Sequence, residues 1–272
     1  AKAARQIARS LLDDEMRPLV PLIAETGGLN TMIVDSTALP EQVVADVITS
    51  AFQSAGQRCS ALRLLCLQDD IADAVINLLI GAMNELKIGD PGEVSTDVGP
   101  VIDADAKQRI AAHIDAHKDR LVVKLPVPSD LSGHFVGPAI IQIDQPEHLQ
   151  AEIFGPVLHV VRWKTGELDA LVERIGRSGY GLTMGLHSRL DTALETVRAG
   201  ARVGNLYINR SMIGAVVGVQ PFGGEGLSGT GFKAGGPHYL LRFVTERSVS
   251  IDTTSAGGNA SLFALEIDAA VR

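Results

Sequence analysis

Two short segments of the 272-residue chain hold residue types that can do covalent chemistry. The first is Gly56-Gln57-Arg58-Cys59-Ser60, a cysteine in a polar loop preceded by glycine. Only the thiolate form of cysteine is a strong nucleophile, and its pKa falls beside cations and oriented backbone N–H groups. Arg58 is the neighbouring cation, unless its side chain points away; the same loop also reads as housing a small buried thiol, the common state of free cysteine. The second segment is Glu25-Thr26-Gly27-Gly28. A carboxylate at the end of a buried strand is desolvated, which raises its pKa and suits it to act as a general base. A solvated glutamate in a strand-end turn is the plain alternative. The other cysteine, Cys66, lies inside an apolar run and reads as core.

These segments need elements to position them, and hydrophobic periodicity supplies a series. Residues 1–12 are apolar at helical spacing with no capping residue ahead of them, as though a helix were entered partway. Residues 19–24 read as a buried strand broken by Glu25-Thr26-Gly27-Gly28. A short strand follows at Met32-Ile33-Val34-Asp35. Pro40 and Glu41 open a helix to about residue 54, with Val43, Val44, Val47, Ile48 and Ala51 on one face, and Gly56 stops it. Strands are expected over 62–67, 121–126, 135–143, 157–163, 182–187 and 203–209, and helices over 71–86, 104–117, 168–178 and 191–199. The alternation predicts an α/β fold, a layered and mostly parallel sheet with flanking helices. Residues 214–236 are rich in glycine, the mark of tight turns and close approach to a ligand. Residues 243–251 alternate like an edge strand, and 253–260 form a tail of small residues.

Composition removes whole classes of function. Hydrophobic residues at 46% and charged residues at 21% match an ordinary globular protein with a sizeable core. A formal net charge of −8, without any basic run, argues against nucleic acid as a partner. No apolar stretch is long enough to span a bilayer, and no secretory leader is seen, so membrane contact is not expected from this segment. Two cysteines seven residues apart make a poor disulfide framework, which points to a reducing, cytoplasmic setting. Three further patterns are set aside. Gly224-Glu225-Gly226-Leu227-Ser228-Gly229 fits a dinucleotide fingerprint, but glycines and Pro237 follow where a helix is required. His113 and His117 share a helix face but lack a third ligand, so a solvated face is expected and no metal site. Trp163 is expected in the core.

Taken together, the motifs point further. Glu25-Thr26-Gly27-Gly28 followed about thirty residues later by Gly56-Gln57-Arg58-Cys59 resembles the signature pair of the aldehyde dehydrogenase superfamily. Glu152-Ile153-Phe154-Gly155-Pro156-Val157, Gly204-Asn205 with Asn209, and Pro221-Phe222-Gly223-Gly224 resemble further landmarks of that family, in the same order. Around SAGQRCSALR, EIFGPVLHVVR, NRSMIGAVVGVQPFGG and TTSAGGNASL the chain is similar to the L-glutamate γ-semialdehyde (Δ1-pyrroline-5-carboxylate) dehydrogenase half of proline utilization A proteins. The resemblance implies NAD as cofactor, Cys59 as nucleophile and Glu25 as general base for thioester hydrolysis. It implies cofactor contacts from Glu152, Phe154 and Gly27. It assigns the substrate α-carboxylate to the backbone of Gly214 and Ala215 with the Ser60 hydroxyl, and the aliphatic part of a small-molecule aldehyde to Phe222. For the 213–215 loop the residues themselves also allow a plain turn.

The same resemblance divides the chain. Residues 1–25 correspond to the last helix and strand of a dinucleotide-binding domain, 26–236 to the catalytic domain, and 237–272 to an oligomerisation strand and tail, implying a homo-oligomer. The adenosine-binding lysine, the helix under the pyrophosphate and an oxyanion-hole asparagine are expected in an N-terminal domain continuous with this segment, as is a proline dehydrogenase domain. Weak NAD binding by this chain alone follows. Two other readings stand beside it: a cofactor-independent thiol esterase, and a non-catalytic assembly module.

Overall fold

A computed structural model describes residues 1–13, 15–16 and 18–252. The first compact unit, residues 1–239, contains nearly all of the regular structure. In chain order its elements are α1 (Lys2–Leu12), β1 (Thr31–Val34), α2 (Pro40–Phe52), β2 (Leu64–Gln68), α3 (Asp69–Asn84), α4 (Ala104–Ala116), β3 (Leu121–Lys124), β4 (Ala139–Gln142), β5 (Val157–Trp163), α5 (Leu168–Gly176), β6 (Tyr180–Gly181), β7 (Thr183–His187), α6 (Asp191–Gly200), β8 (Asn205–Ile208) and β9 (Glu225–Gly226).

Local chemistry sets these boundaries. Pro40 occupies the first turn of α2 with Glu41 beside it, where a missing N–H costs nothing and a negative charge meets the helix dipole. Asp103 caps α4, its carboxylate accepting from the Ala106 N–H at 2.7 Å. Asp69 and Asp70 open α3 in the same electrostatic sense.

Seven strands form one sheet in the order β3-β4-β5-β2-β1-β7-β8, parallel throughout except for the β3–β4 pair. The sequence proceeds outward from β1 through β2 to β5 and then returns to β7 and β8 on the other side. Helix α2 packs against α3, and α5 against α6, as the two pairs flanking the sheet. Strands covered on both faces should be apolar throughout, and every residue of β1 and β2 is buried. Trp163 is in the core as expected, its indole N–H donating to the Cys66 carbonyl at 3.3 Å. The expected mostly parallel sheet with flanking helices is therefore what the chain builds.

Two expectations need correction. Residues 19–24 do not form a buried strand: Leu19 is 87% exposed, and only at its end does the segment meet another, through Ala24 with Thr230 and a bridge between Glu25 and Gly229. An apolar run states a preference for burial, but no described element covers it here. Residues 243–251 form no strand either. In the second unit, 240–272, Leu240–Phe243 is a short 3-10 turn and 244–252 has no regular structure. A strand exists by virtue of its ladder, and among the described residues no strand ladder forms there. The 253–260 tail lies outside the described residues. Among the described residues no helix is long and apolar enough to cross a membrane.

Candidate active site

The parallel strands bring their amino ends to one edge, and the sequence motifs lie there. Glu25-Thr26-Gly27-Gly28 precedes β1, Cys59 precedes β2, Glu152–Gly155 precedes β5, and Gly204 precedes β8.

The Cys59 loop leaves α2 through a left-handed turn. Ser54, Ala55 and Gly56 all have positive φ, 56°, 53° and 65°. For Gly56 the conformation is costless, and the lack of a side chain is essential: a Cβ would stand 2.2 Å from the Gly155 carbonyl oxygen. This packs the Cys59 loop directly on the loop carrying Glu152 and Phe154. Cys59 emerges exposed, whereas Cys66 is fully buried and its thiol pKa is pushed up by that burial. The Cys59 thiol is also held above its ordinary pKa. Packing around the sulfur is the main cause, and the charges of Glu25 and Glu152 add to it, while the backbone N–H groups of Ser60 and Cys59 pull the other way. Arg58 gives no close help, because its Nε donates to the Ser54 hydroxyl at 3.3 Å.

Two residues that the motifs did not single out organise this loop. Asn30, 1% exposed, donates through Nδ2 to the carbonyls of Cys59 at 2.7 Å and Ala61 at 2.8 Å. Its Oδ1 accepts from the Thr183 N–H at 3.3 Å. Arg63, also 1% exposed, donates to the carbonyls of Arg58 and Gly155, each at 3.1 Å, and to the Glu152 carboxylate at 3.2 Å. Its guanidinium lies 5.2 Å from the ring centre of Phe154. The signal for Arg63 was present in the sequence: an arginine within the apolar run 62–67 must find partners, since an unpaired buried charge is untenable.

Glu152 sits in a cradle made by Gly27. A Cβ on Gly27 would lie 1.8 Å from one carboxylate oxygen. Burial raises the Glu152 pKa, opposed by the Arg63 charge and hydrogen bond and by the Gly28 N–H. Phe154 is 45% exposed and offers an open ring beside that carboxylate.

Glu25 is exposed, in line with the solvated alternative and not with a desolvated carboxylate at a strand end; the segment bearing it is not a strand. It is held instead by the glycine-rich segment. The Thr26 N–H donates to the Ser228 carbonyl at 3.0 Å, and the Thr230 N–H to the Ala24 carbonyl at 3.0 Å. Residues 224–229 therefore form a strand and turn that grip the Glu25 segment, and they open no helix. Gly204-Asn205 and the 221–224 loop also meet. Lys233 donates to the carbonyls of Gly204 and Gly223, and the Asn205 amide donates to the Pro221 carbonyl at 2.9 Å. This fixes Phe222, whose N–H and carbonyl pair with Ala234. Ser60 is buried, and Gly214, at φ 74°, stands in an exposed turn with Ala215 half-buried. Asn209 is at the other edge, bonded to Ser188.

His113 of α4 and His117 just past its end are not a solvated face. His113 Nε2 lies 2.9 Å from Nε2 of the buried His159 on β5, whose Nδ1 meets the Arg63 carbonyl at 3.2 Å. A carbonyl only accepts, so His159 carries its proton on Nδ1 and takes a second hydrogen bond from His113. Burial first, and the neighbouring imidazoles second, lower the pKa of His113 to about 4 and of His159 to about 3. Among the described residues no group of three or more side chains is placed to hold a metal. A cavity of about 250 Å³ lined by Leu29, Thr31, Leu64, Leu149, Arg174 and Ile175 opens beside β1 and β2, but Cys59 does not line it.

Comparison with known proteins identifies the family. Residues 2–249 match the aldehyde dehydrogenase family. The chain is 58% identical over 251 residues to the bifunctional protein PutA of Klebsiella aerogenes, covering 89% of this chain and 19% of that protein. A crystal structure of a mutant Bradyrhizobium japonicum proline utilization A superposes with a TM-score of 0.90 at 57% identity, over 94% of this chain and 26% of the other. A Thermus 1-pyrroline-5-carboxylate dehydrogenase with bound NAD superposes with a TM-score of 0.82 at 35% identity, over 89% of this chain and 47% of the other. The chain thus spans less than half the length of each of these proteins.

Proposed function

Because the chain belongs to the aldehyde dehydrogenase family, we propose that it forms the catalytic portion of an NAD-dependent enzyme oxidising L-glutamate γ-semialdehyde to L-glutamate. The carrying observation is the edge described above, where an exposed thiol, an exposed carboxylate and the Glu152–Phe154 loop come together. The likeness to PutA and to 1-pyrroline-5-carboxylate dehydrogenase supports this substrate over a simple aliphatic aldehyde.

In this reading the Cys59 thiolate attacks the aldehyde carbon. The S–C bond forms and the carbonyl electron pair moves to oxygen, where the Cys59 backbone N–H meets it. NAD supplies the acceptor for the hydride that departs, leaving a thioester on Cys59. Glu25 takes a proton from water, the hydroxide equivalent attacks the thioester carbon, and the S–C bond breaks to return the thiolate. Gly214, Ala215 and Ser60 hold the α-carboxylate, and Phe222 packs on the aliphatic chain. Glycine at 214 leaves its surroundings open, with nothing within 4 Å of where a Cβ would stand. Residues present fit the nicotinamide end of NAD. Glu152 is an acceptor for ribose hydroxyls with 15% of its side chain open, and Phe154 presents a free ring face. We further assign residues 1–25 to the end of a dinucleotide-binding domain, 26–236 to the catalytic domain and 237–272 to an oligomerisation segment and tail, whose 243–251 stretch would become a strand only on pairing with a second copy, in a cytoplasmic homo-oligomer.

The test is NADH formation by the longer gene product with L-glutamate γ-semialdehyde and with propanal, for wild type, Cys59→Ala and Glu25→Gln. The proposal requires preference for the semialdehyde, loss of turnover in Cys59→Ala, and a burst without turnover in Glu25→Gln. A preference for propanal removes the substrate assignment. Full activity in Cys59→Ala removes the mechanism.

A further inference from the structure

A peptide unit is planar, so fixing a carbonyl fixes the direction of the N–H across the same bond. The backbone N–H groups on either side of the Cys59 Cα, those of Cys59 and Ser60, are the ones that favour its thiolate. Their partner carbonyls are those of Arg58 and Cys59. The Arg58 carbonyl is gripped by Arg63 at 3.1 Å and the Cys59 carbonyl by Asn30 at 2.7 Å. Each donor is 1% exposed, so neither grip is diluted by water. Each donor is also anchored elsewhere: Asn30 to Thr183 and Ala61, and Arg63 to Glu152 and Gly155. We propose that Asn30 and Arg63 are positioning residues for the nucleophile, holding the 58–59 and 59–60 peptide planes so that both N–H groups face the sulfur.

The consequence follows from which atom receives the hydrogen bonds. A backbone N–H aimed at a thiolate stabilises the anion, and one turned aside does not. Around the sulfur the fixed charges work against the anion: Glu25 from the segment before β1 and Glu152 from the loop before β5 both oppose it. Arg63, at the start of β2, is the positive group that feels the Cys59 charge, and Arg58 is turned to Ser54. With carboxylates on two sides, the oriented peptides are the main local device for making thiolate. Gly56 and the left-handed turn before it fit the same purpose, because they let the 58–60 backbone descend onto Arg63 and the Gly155 carbonyl.

This inference rests on Cys59 being the nucleophile, but its test does not depend on aldehyde oxidation. The rate of iodoacetamide alkylation of Cys59 is followed against pH in the 272-residue chain; Cys66, buried completely, does not compete. Variants are Asn30→Ala and Arg63→Lys, the latter keeping the charge while losing the planar fork. Each should move the alkylation midpoint upward by about one pH unit, roughly tenfold less thiolate at a given pH below it. The midpoint should return toward wild type in Asn30→Gln if the longer amide regains the Cys59 carbonyl. Thermal melts run alongside, because a merely structural residue lowers the melting temperature and leaves the midpoint where it was. Unmoved midpoints in folded variants overturn the proposal. Should the variants fail to fold, the amide protons of Cys59 and Ser60 in the wild-type chain give the answer. They must shift downfield together as the thiol ionises, and indifferent amides refute the arrangement. If Cys59→Ala keeps dehydrogenase activity, the proposed function falls while the alkylation profile remains interpretable.

Discussion

Replacing Gly27 by alanine isolates a single contact. The backbone at Gly27 is not left-handed, so alanine carries no conformational penalty there. The added Cβ instead falls 1.8 Å from a Glu152 carboxylate oxygen and 2.9 Å from the carboxylate carbon. Ordinary contact is roughly 3.5 Å, so the carboxylate must retreat by about 1.5 Å. Such a movement takes it out of hydrogen-bond range of Arg63, now at 3.2 Å. Arg63 is buried and keeps only its two carbonyl partners. Losing a hydrogen bond between charged groups costs about 1.5–3 kcal/mol, and the partly open position of Glu152 favours the lower part of that range. The assay is urea unfolding of Gly27→Ala in the wild-type and in the Glu152→Ala background. The expected cost is about 2 kcal/mol in the first and near zero in the second, where nothing remains to collide with. Equal costs in both backgrounds would show that the glycine serves the backbone and that the cradle argument is wrong. In an NAD-dependent enzyme of the kind proposed above, the same substitution should raise KM for NAD more than it lowers kcat.

Three other outcomes are expected. His113 and His159 titrate at about 4 and about 3 in the fold against 6.5 when free. The unfolded chain therefore binds more protons below pH 6.5, and stability present above that pH is lost as pH falls toward 4. The slope approaches about 1.4 kcal/mol per pH unit per histidine, less for half-buried His113, and a urea midpoint that stays level from pH 7 to 5 refutes it. Cys59 should alkylate in the native chain while Cys66 reacts only on unfolding, counted by mass spectrometry; two rapid labels would contradict the buried placement of Cys66. Ser54→Gly should leave stability unchanged or raise it by up to about 1 kcal/mol, because a left-handed non-glycine residue costs roughly 1–2 kcal/mol, partly offset by glycine's greater chain entropy; a clear loss in a thermal melt would mean the Ser54 hydroxyl matters more than the strain.

The strands and helices were legible because each buries a face whose period shows in the sequence. Val157–Trp163 forms the strand its apolar run announces, and α2 ends where Gly56 forces a turn. Residues 19–24 misled for the same reason, since apolar composition does not say which layer supplies the cover. At the candidate site, type and order singled out Cys59, Glu25, Glu152 and Phe154, whose segments the structure gathers at one edge of the sheet. Asn30 and His159 were not, because single polar residues at strand ends and in apolar runs act only through partners distant in the chain, 29 and 46 residues away for the bonds to Cys59 and His113. Which of the two readings of Glu25 holds depended on residues 228–230, whose backbone bonds to Ala24 and Thr26 fix its segment from far along the chain.

The reactive groups all stand where strands begin, and this makes the interior the jig that aligns them. Thr31 is paired with Leu64, one step beyond Asn30 and Arg63 respectively, so the ladder between two strands sets how amide and sulfur loop meet. One residue of slippage displaces a loop by about 3.3 Å, more than any hydrogen bond can span. Damage deep among the apolar side chains, for instance at Ile33 beside Cys66, should thus blunt the chemistry at the rim before the molecule loses its overall form.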